Sequence, residues 1–216
     1  MIPQLLWVDT FDLFWEEALS KAHPEDLPHI LRFQQHDDQR DRVVGRALLR
    51  FFAGASLGTS PHEVAITIAD SGQPQIDGLH FSLSHCPGRV VLAIDETPIG
   101  VDVEHRDRSV DIARIVDRFF TPPERSIIGN DRSMFFHFWT RKEAILKAVG
   151  KGLTVPLKHV DVRDEVATVN GQTFYLTTVI TEEGFIVSWA CKLRRRLSPI
   201  LAVGDATLTN WACVSQ

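Results

Sequence analysis

Hydrophobic and polar residues alternate with two different periods along this chain, and the two periods occur in the same order twice. Spacing of three to four residues, typical of helices, dominates residues 14–52 and again residues 110–149, where Pro122 and Pro123 interrupt it. Strand-like segments follow each helical region. Helices followed by strands, twice over, favour an α+β fold with two similar halves rather than a parallel βαβ array. We place the halves at residues 1–98 and 99–216.

The strand candidates are short and lie between turn signals. They comprise residues 5–11, 64–70, 81–84, 90–94, 99–104, 159–163, 173–181 and 184–193, with a weaker stretch near Ile200. Short polar or Pro/Gly connections join the three candidates between residues 81 and 104, which predicts an antiparallel meander. The segments at 173–181 and 184–193 flank a Glu-Glu-Gly loop and predict a hairpin.

Composition narrows the class of protein. The 216 residues are 44% hydrophobic and 24% charged, as in ordinary globular proteins. Apolar runs fall short of the ~20 residues that span a bilayer, and the first residues lack the basic start of a secretory leader. A net charge of −5 argues against a general nucleic-acid binder. Three scattered cysteines form no disulfide framework or zinc motif, so we expect a cytoplasmic protein.

Asp102 and Glu104 are the first candidates for chemistry. Residues i and i+2 of a strand lie on one face, roughly 6.5 Å apart, so Val101 and Val103 are expected in the core and the two carboxylates outside it. A solvated acidic face explains this pattern without any function. Two adjacent like charges also suit a divalent cation, which relieves their repulsion.

Glu143 and Lys147 lie four residues apart in a strong helical pattern and share a face with Trp139. A surface salt bridge is the ordinary use of this spacing. The functional alternative is a third metal carboxylate beside a phosphate-binding lysine. Gly150, Lys151 and Gly152 follow, and a helix C-cap at Gly150 explains them at least as well as a phosphate loop.

Ser84 and His85 end a strand candidate. Neighbouring strand residues point to opposite faces, so the two cannot form a catalytic triad by themselves, although they can hold phosphate oxygens. A structural histidine is the simpler alternative. No orienting Asn or Asp motif supports Cys86 as a nucleophile. Arg42 and Arg46 belong to an arginine-rich helical segment that a solvated face would also explain.

Three motifs together are more specific than any one of them. FSLSH (81–85), GVDVE (100–104) and FWTRKEAILKAVGKGL (138–153) resemble, without a gap, the signatures of the longer, pseudo-dimeric, Sfp-like 4′-phosphopantetheinyl transferases. GRALLR (45–50), Gly72-Gln73-Pro74 and RFFTPPE (118–124) add to the resemblance, which covers about residues 32–157. The family's fold is an α+β pseudo-dimer within one chain.

The resemblance implies a reaction: the phosphopantetheine arm of coenzyme A moves to a serine of an apo acyl or peptidyl carrier protein, with Mg²⁺, and 3′,5′-ADP leaves. The matched metal carboxylates are Asp102, Glu104 and Glu143. Lys147 matches the pyrophosphate lysine, with Lys142 as a second candidate. Glu143, or a metal-bound water that it orients, is our hypothesis for the general base. Coenzyme A contacts are expected from Ser84, His85, Lys142, Lys147, Arg42 and Arg46.

The sequence departs from the family at the nucleotide end. Basic residues that relatives use for the adenosine 3′-phosphate are here Asp26, His29, Asp41 and Gln73. Arg42 or Arg46 is a possible replacement, and the sequence does not choose between them.

A basic and apolar segment after the metal strand is the candidate docking surface for the carrier protein. Its arginines are Arg106, Arg108, Arg114 and Arg118. A monomer is expected. Two alternatives stay open: a non-catalytic relative that binds coenzyme A or carrier proteins, and a Mg²⁺-dependent phosphohydrolase.

Overall fold

Helices and strands occupy most of the chain in the computed structural model, which describes residues 4–10, 15–20, 22–69, 73–150, 155–194 and 201–202. The helices are α1 (Trp15–Ser20), α2 (Leu27–Ile30), α3 (His36–Leu57), α4 (Ile112–Phe119), α5 (Pro122–Ile128) and α6 (Arg132–Val149). The strands are β1 (Gln4–Asp9), β2 (Thr67–Ile68), β3 (Pro74–Gln75), β4 (His80–Cys86), β5 (Arg89–Asp95), β6 (Ile99–His105), β7 (Val166–Val169), β8 (Gln172–Ile180), β9 (Phe185–Cys191) and β10 (Leu201–Ala202).

Two four-stranded sheets form the framework. The first has the order β10-β1-β5-β4 and the second β6-β9-β8-β7, while β2 and β3 pair separately. All pairs within the large sheets are antiparallel except β1 with β10. This architecture confirms the predicted α+β fold with two similar halves, and the pairing of β8 with β9 confirms the predicted hairpin.

The central strands of each sheet are buried on both faces. On β5, Val90, Leu92 and Ile94 pack toward α3, whereas Val91 and Ala93 join a cluster shared by both sheets. On β9, Ile186 and Ala190 pack with α6 and the alternate residues enter the same shared cluster. Double burial explains why these two strands are continuously apolar in the sequence, and it places the helices on the outer faces of the packed sheets.

The predicted meander between residues 81 and 104 is wrong for its third strand. β4 and β5 pair as expected, but β6 is an edge strand of the second sheet, paired with β9. Two serine hydroxyls of β4 join the sheet edges: Ser82 Oγ accepts from the Val101 amide at 3.0 Å, and Ser84 Oγ from the Val103 amide at 3.3 Å. At this seam between β4 and β6, hydrogen bonds to serine side chains therefore take the place of a backbone hydrogen-bond ladder.

The predicted interruption of the helical pattern at Pro122 is confirmed: α4 ends at Phe119 and Pro122 begins α5, where Thr121 caps the helix with Glu124 as its reciprocal partner. Other element boundaries differ from the sequence prediction. The candidate at residues 64–70 contracts to the two residues of β2, and that at 159–163 forms no strand. α3 passes Gly54 and ends at Gly58, whose φ of +70° is left-handed. In the part of the chain that the structure describes, no helix is long and apolar enough to cross a membrane.

Candidate active site

A cleft of about 540 Å³ opens between the two halves and contains eight of the nine site residues predicted from the sequence. These are Arg42, Arg46, Ser84, His85, Asp102, Glu104, Glu143 and Lys147. They come from α3, β4, β6 and α6, so residues far apart in sequence meet only because the sheets pack together. Lys142 does not line this cleft.

Gly100 allows the metal strand to approach the helix. A Cβ on Gly100 would collide with the carbonyl oxygen of Ala144 and the amide nitrogen of Ala148. Gly100 shares its strand face with Asp102 and Glu104. The close approach of β6 to α6 therefore places these two acids opposite Glu143 and Lys147, which come from the same helical segment as Ala144 and Ala148.

Asp102 is buried and is held by two donors on one of its oxygens. Ser84 Oγ and Lys147 Nζ each donate to Asp102 Oδ1 at 2.8 Å, and Lys147 Nζ also donates to the Val101 carbonyl at 2.9 Å. Asp102 Oδ2 is buried and has no hydrogen-bond partner among the described residues. The Ser84 hydroxyl, predicted to contact phosphate, donates its hydrogen bond to Asp102 in this structure.

Glu104 has a similar half-satisfied carboxylate. One oxygen, Oε1, pairs with the Arg108 guanidinium, and the buried Oε2 has no partner in the described ranges. Glu104 and Asp102 are each only 6% exposed, so the expectation of an outward, solvated acidic face is wrong. Val101 and Val103, on the opposite face of β6, lie in the core as predicted. The acidic face is packed against α6 and lines the cleft.

Glu143 is the third acid of the cleft, and its pKa and that of Glu104 are both raised. Burial, followed by the charges of Asp102 and Glu104, raises the pKa of Glu143 to about 7 despite the opposing effect of Lys147. Burial and Asp102 likewise raise the pKa of Glu104. Repulsion between these carboxylates is therefore not fully relieved by Lys147 and Arg108.

Arginines form the other end of the cleft. The Arg42 guanidinium lies 3.4 Å from the centre of the Phe33 ring. The Arg32 guanidinium lies 5.0 Å from the centre of the same ring, and Arg32 also lines the cleft. Arg42 Nε and Arg46 Nη1 are buried and have no hydrogen-bond partner within the described residues. Burial lowers the pKa of both groups, and Arg32 adds to that effect. Unused donors and mutual repulsion characterise a site for an anion.

His85 lies between the two ends. Burial lowers its pKa to about 4, and the charges of Arg42 and Lys147 are the next largest causes. The imidazole is therefore neutral at pH 7, with one ring nitrogen that donates a hydrogen bond and one that accepts a hydrogen bond.

Comparison with known proteins covers both halves of the chain. The family described as "4'-phosphopantetheinyl transferase superfamily" matches residues 98–192, and the one described as "4'-phosphopantetheinyl transferase, N-terminal" matches residues 7–97. The chain belongs to the 4′-phosphopantetheinyl transferase superfamily. The recognition made from its motifs is confirmed.

Several curated transferases align with two thirds of the chain. A 4′-phosphopantetheinyl transferase of Bacillus subtilis is 34% identical over 157 residues, which are 68% of this chain and 69% of that protein. The transferase Sfp of Bacillus subtilis strain 168 is 31% identical with the same coverage. HetI of Nostoc is 32% identical over 150 residues, which are 64% of this chain and 63% of that protein.

Lys142 has a different place in this phosphopantetheinyl transferase from the one that its motif suggested. Its side chain is fully buried: Nζ lies 2.9 Å from Glu124 Oε2 and donates to the carbonyls of Leu157 and Val160 at 3.0 and 2.6 Å. One residue along a helix turns the side chain by about 100° relative to Glu143. Lys142 therefore connects α6 to α5 and to the segment that follows α6. These contacts argue against Lys142 as the second lysine that contacts coenzyme A.

The acids that depart from the family pattern have partners inside the protein. Asp26 accepts from Arg50 Nε at 2.8 Å. Asp41 accepts from Thr10 Oγ1 at 2.6 Å and from Arg40 Nε at 3.2 Å, while burial raises its pKa. These contacts hold the two carboxylates in the first half.

Three contributors to the site were not assigned there from the sequence. The guanidinium groups of Arg32 and Arg42 both lie over the Phe33 ring. The fold is what brings Arg42 to the neighbouring pair Arg32 and Phe33. Ser82 repeats the seam contact of Ser84. Arg108 was predicted on the docking surface, whereas its guanidinium binds Glu104.

Gly150 caps α6 with a φ of +69°, as the simpler explanation required, and Lys151 and Gly152 lie outside the described residues.

Proposed function

We propose that this transferase moves the 4′-phosphopantetheine arm of coenzyme A to a serine of an apo acyl or peptidyl carrier protein and releases 3′,5′-ADP, with Mg²⁺ bound by Asp102, Glu104 and Glu143. The observation that carries the proposal is the polarity of a single cleft. Three carboxylates and Lys147 line one end, arginines with unused donors line the other, and neutral His85 lies between them. Such a cleft suits a metal-bound pyrophosphate joined to a second phosphate.

The carboxylate end fits the chemistry of Mg²⁺, which takes oxygen ligands. Asp102 Oδ2 and Glu104 Oε2 are buried and lack partners in the described part of the chain, so each is an oxygen available to a cation. As the side chains lie, no three His, Cys, Asp or Glu residues among those described are grouped closely enough to hold a metal. We therefore expect Glu143 to shift toward the other two acids when the ion binds. Bound Mg²⁺ would supply Lewis-acid stabilisation of the pyrophosphate charge.

The remaining steps fall to the side chains of the cleft. We assign to Glu143 the role of the base that takes the proton from the carrier serine hydroxyl. The serine oxygen then bonds to the phosphorus that carries the pantetheine arm, and the bond from that phosphorus to the ADP oxygen breaks. The Lys147 ammonium, 25% exposed beside Asp102, neutralises charge on the departing phosphate.

The nucleotide end explains how the adenosine 3′-phosphate is held without the family's usual basic residues. Arg42 and Arg46 both line the cleft and both keep an unused buried donor. Arginine forks bind phosphate oxygens in pairs, and Arg32 adds charge at the same place. We assign the 3′-phosphate to these arginines together, and therefore propose both Arg42 and Arg46 rather than one of them.

The carrier protein is proposed to dock on α4. Arg114 and Arg118 are exposed one turn apart, with Ile115 and Val116 half-buried beside them. Since carrier proteins of this type are usually acidic and the chain itself carries a net charge of −5, association needs a local basic patch.

The proposal extends to a cytoplasmic monomer. Cys86 and Cys191 are buried free thiols, which fits a reducing compartment.

Intact-mass spectrometry of apo carrier proteins tests the function. Several carrier proteins are incubated with the enzyme, coenzyme A and Mg²⁺, and the solution is analysed for 3′,5′-ADP. A gain equal to one phosphopantetheine arm, matched by released 3′,5′-ADP, is the expected result. Bound coenzyme A with no gain on any carrier would indicate a non-catalytic relative, and release of free phosphate would indicate a hydrolase.

A further inference from the structure

Arg108 is a cation placed against a proposed metal ligand. It lies on the turn between β6 and α4, and its guanidinium pairs with Glu104 Oε1 across the mouth of the cleft. The side chain is 48% exposed, whereas that of Lys147 is 25% exposed. Glu104 is the acceptor that the structure gives this guanidinium within the described ranges. Lys147, in contrast, is held by both Asp102 and the Val101 carbonyl.

Two hydrogen bonds hold the backbone of Arg108, whereas its exposed side chain is held by the ion pair with Glu104. The Arg108 amide donates to the His105 carbonyl at 2.9 Å, and Arg132 Nη2 donates to the Arg108 carbonyl at 2.6 Å. The long side chain can therefore swing within the cleft mouth from a stationary base. A guanidinium that leaves Glu104 remains within the same cleft as Lys147 and Glu143.

Charge balance gives this movement a direction. A divalent cation at Glu104 and a guanidinium on the same carboxylate repel each other. Coenzyme A brings a pyrophosphate to the carboxylate end, and phosphate oxygens suit the arginine fork. The arginine thus has a reason to leave Glu104 when the metal arrives and an acceptor to join when the substrate arrives.

We propose that Arg108 is an exchangeable cation of the site: it neutralises Glu104 in the substrate-free protein, competes with the metal there, and moves to the pyrophosphate oxygens of coenzyme A when metal and substrate bind. This inference rests on the proposed function. It predicts two opposite effects of removing the charge. The metal alone should bind more tightly, and coenzyme A should bind more weakly.

Two binding measurements on the full-length protein test the exchange. Free Mn²⁺ is measured by electron paramagnetic resonance during titration of substrate-free protein, and coenzyme A binding is measured by calorimetry at saturating Mg²⁺. Arg108→Gln should bind Mn²⁺ roughly tenfold more tightly and coenzyme A roughly tenfold more weakly than the wild type, as expected when one nearby unit charge is removed. Arg108→Lys keeps the charge and should stay close to the wild type in Mn²⁺ affinity.

Arg106→Gln is the matched control, since Arg106 is exposed on the same turn but does not line the cleft. It should change neither affinity. Unchanged or weaker Mn²⁺ binding by Arg108→Gln would overturn the exchange, and so would unchanged coenzyme A binding. If the wild type still showed metal-dependent transfer, these results would leave the proposed function intact. Absence of Mn²⁺ binding by the wild type would overturn both.

Discussion

Replacement of Glu143 by Gln should stabilise the metal-free protein at neutral and alkaline pH. The pKa of Glu143 is raised from 4.5 to about 7 in the folded protein, chiefly by burial and then by Asp102. A raised carboxyl pKa means that the folded state binds more protons than the unfolded state between these two values. The free energy of unfolding contributed by Glu143 is therefore highest below pH 4.5 and falls as pH rises toward 7.

The size of the effect follows from the shift. Each pKa unit corresponds to about 1.4 kcal/mol, so ionised Glu143 lowers the stability of the metal-free protein by up to about 3 kcal/mol at pH 8. Glutamine has nearly the same shape and no charge. The variant should therefore equal the wild type near pH 4.5 and exceed it by up to about 3 kcal/mol at pH 8.

Urea unfolding in a chelating buffer, repeated from pH 4.5 to 8, measures this difference. Glu182→Gln, on an exposed turn, is the control and should leave the pH dependence unchanged. Added Mg²⁺ should then stabilise the wild type more than Glu143→Gln, because the variant has lost a carboxylate. A variant that is no more stable than the wild type at pH 8 would refute the idea that the pKa of the half-buried Glu143 is raised by burial and by neighbouring acids.

Four further variants test separate parts of the site. Lys147→Ala should lose transfer by at least about a hundredfold in kcat, with a smaller loss of stability than Lys142→Ala, because Asp102 keeps its hydrogen bond from Ser84. Lys142→Ala should lose about 3–5 kcal/mol of stability because it leaves the fully buried Glu124 carboxylate without its cation; equal unfolding midpoints would contradict this contrast. Arg42→Gln should raise the KM for coenzyme A several-fold but not that for 3′-dephospho-coenzyme A, and a parallel rise in both would move the 3′-phosphate elsewhere. Reversal of Arg114 and Arg118 to Glu should raise the KM for the carrier protein and reduce the salt dependence of that KM, without changing the KM for coenzyme A. An unchanged KM for the carrier protein at low salt would exclude α4 as the docking surface.

Local periodicity predicted the carboxylate end of the site well. Asp102 and Glu104 share a face because strand residues alternate, and Glu143 and Lys147 share a face because helix residues repeat after four positions. Neither rule needs knowledge of distant contacts. The family resemblance, and not either rule, suggested substrate contact for Lys142; helix geometry turns its side chain about 100° away from Glu143, toward Glu124.

Long-range pairing accounts for what the sequence did not predict. The pairing of β6 with β9 depends on a strand more than eighty residues away, so β6 was placed in the wrong sheet. Burial of Asp102 and Glu104 follows from the approach of α6 over Gly100, which no alternating pattern reveals. Arg32 and Arg108 likewise reach the cleft through turns whose direction the fold determines.

The most direct test of the central claim compares the wild type with Asp102→Asn in the intact-mass assay, each with Mg²⁺ and with excess chelator. The account predicts that the wild type adds one phosphopantetheine arm to the apo carrier protein with Mg²⁺ alone. It predicts that both the chelator and the substitution abolish this gain. A full gain in the presence of chelator, or near-normal turnover by Asp102→Asn, would contradict a metal-dependent transfer centred on these carboxylates.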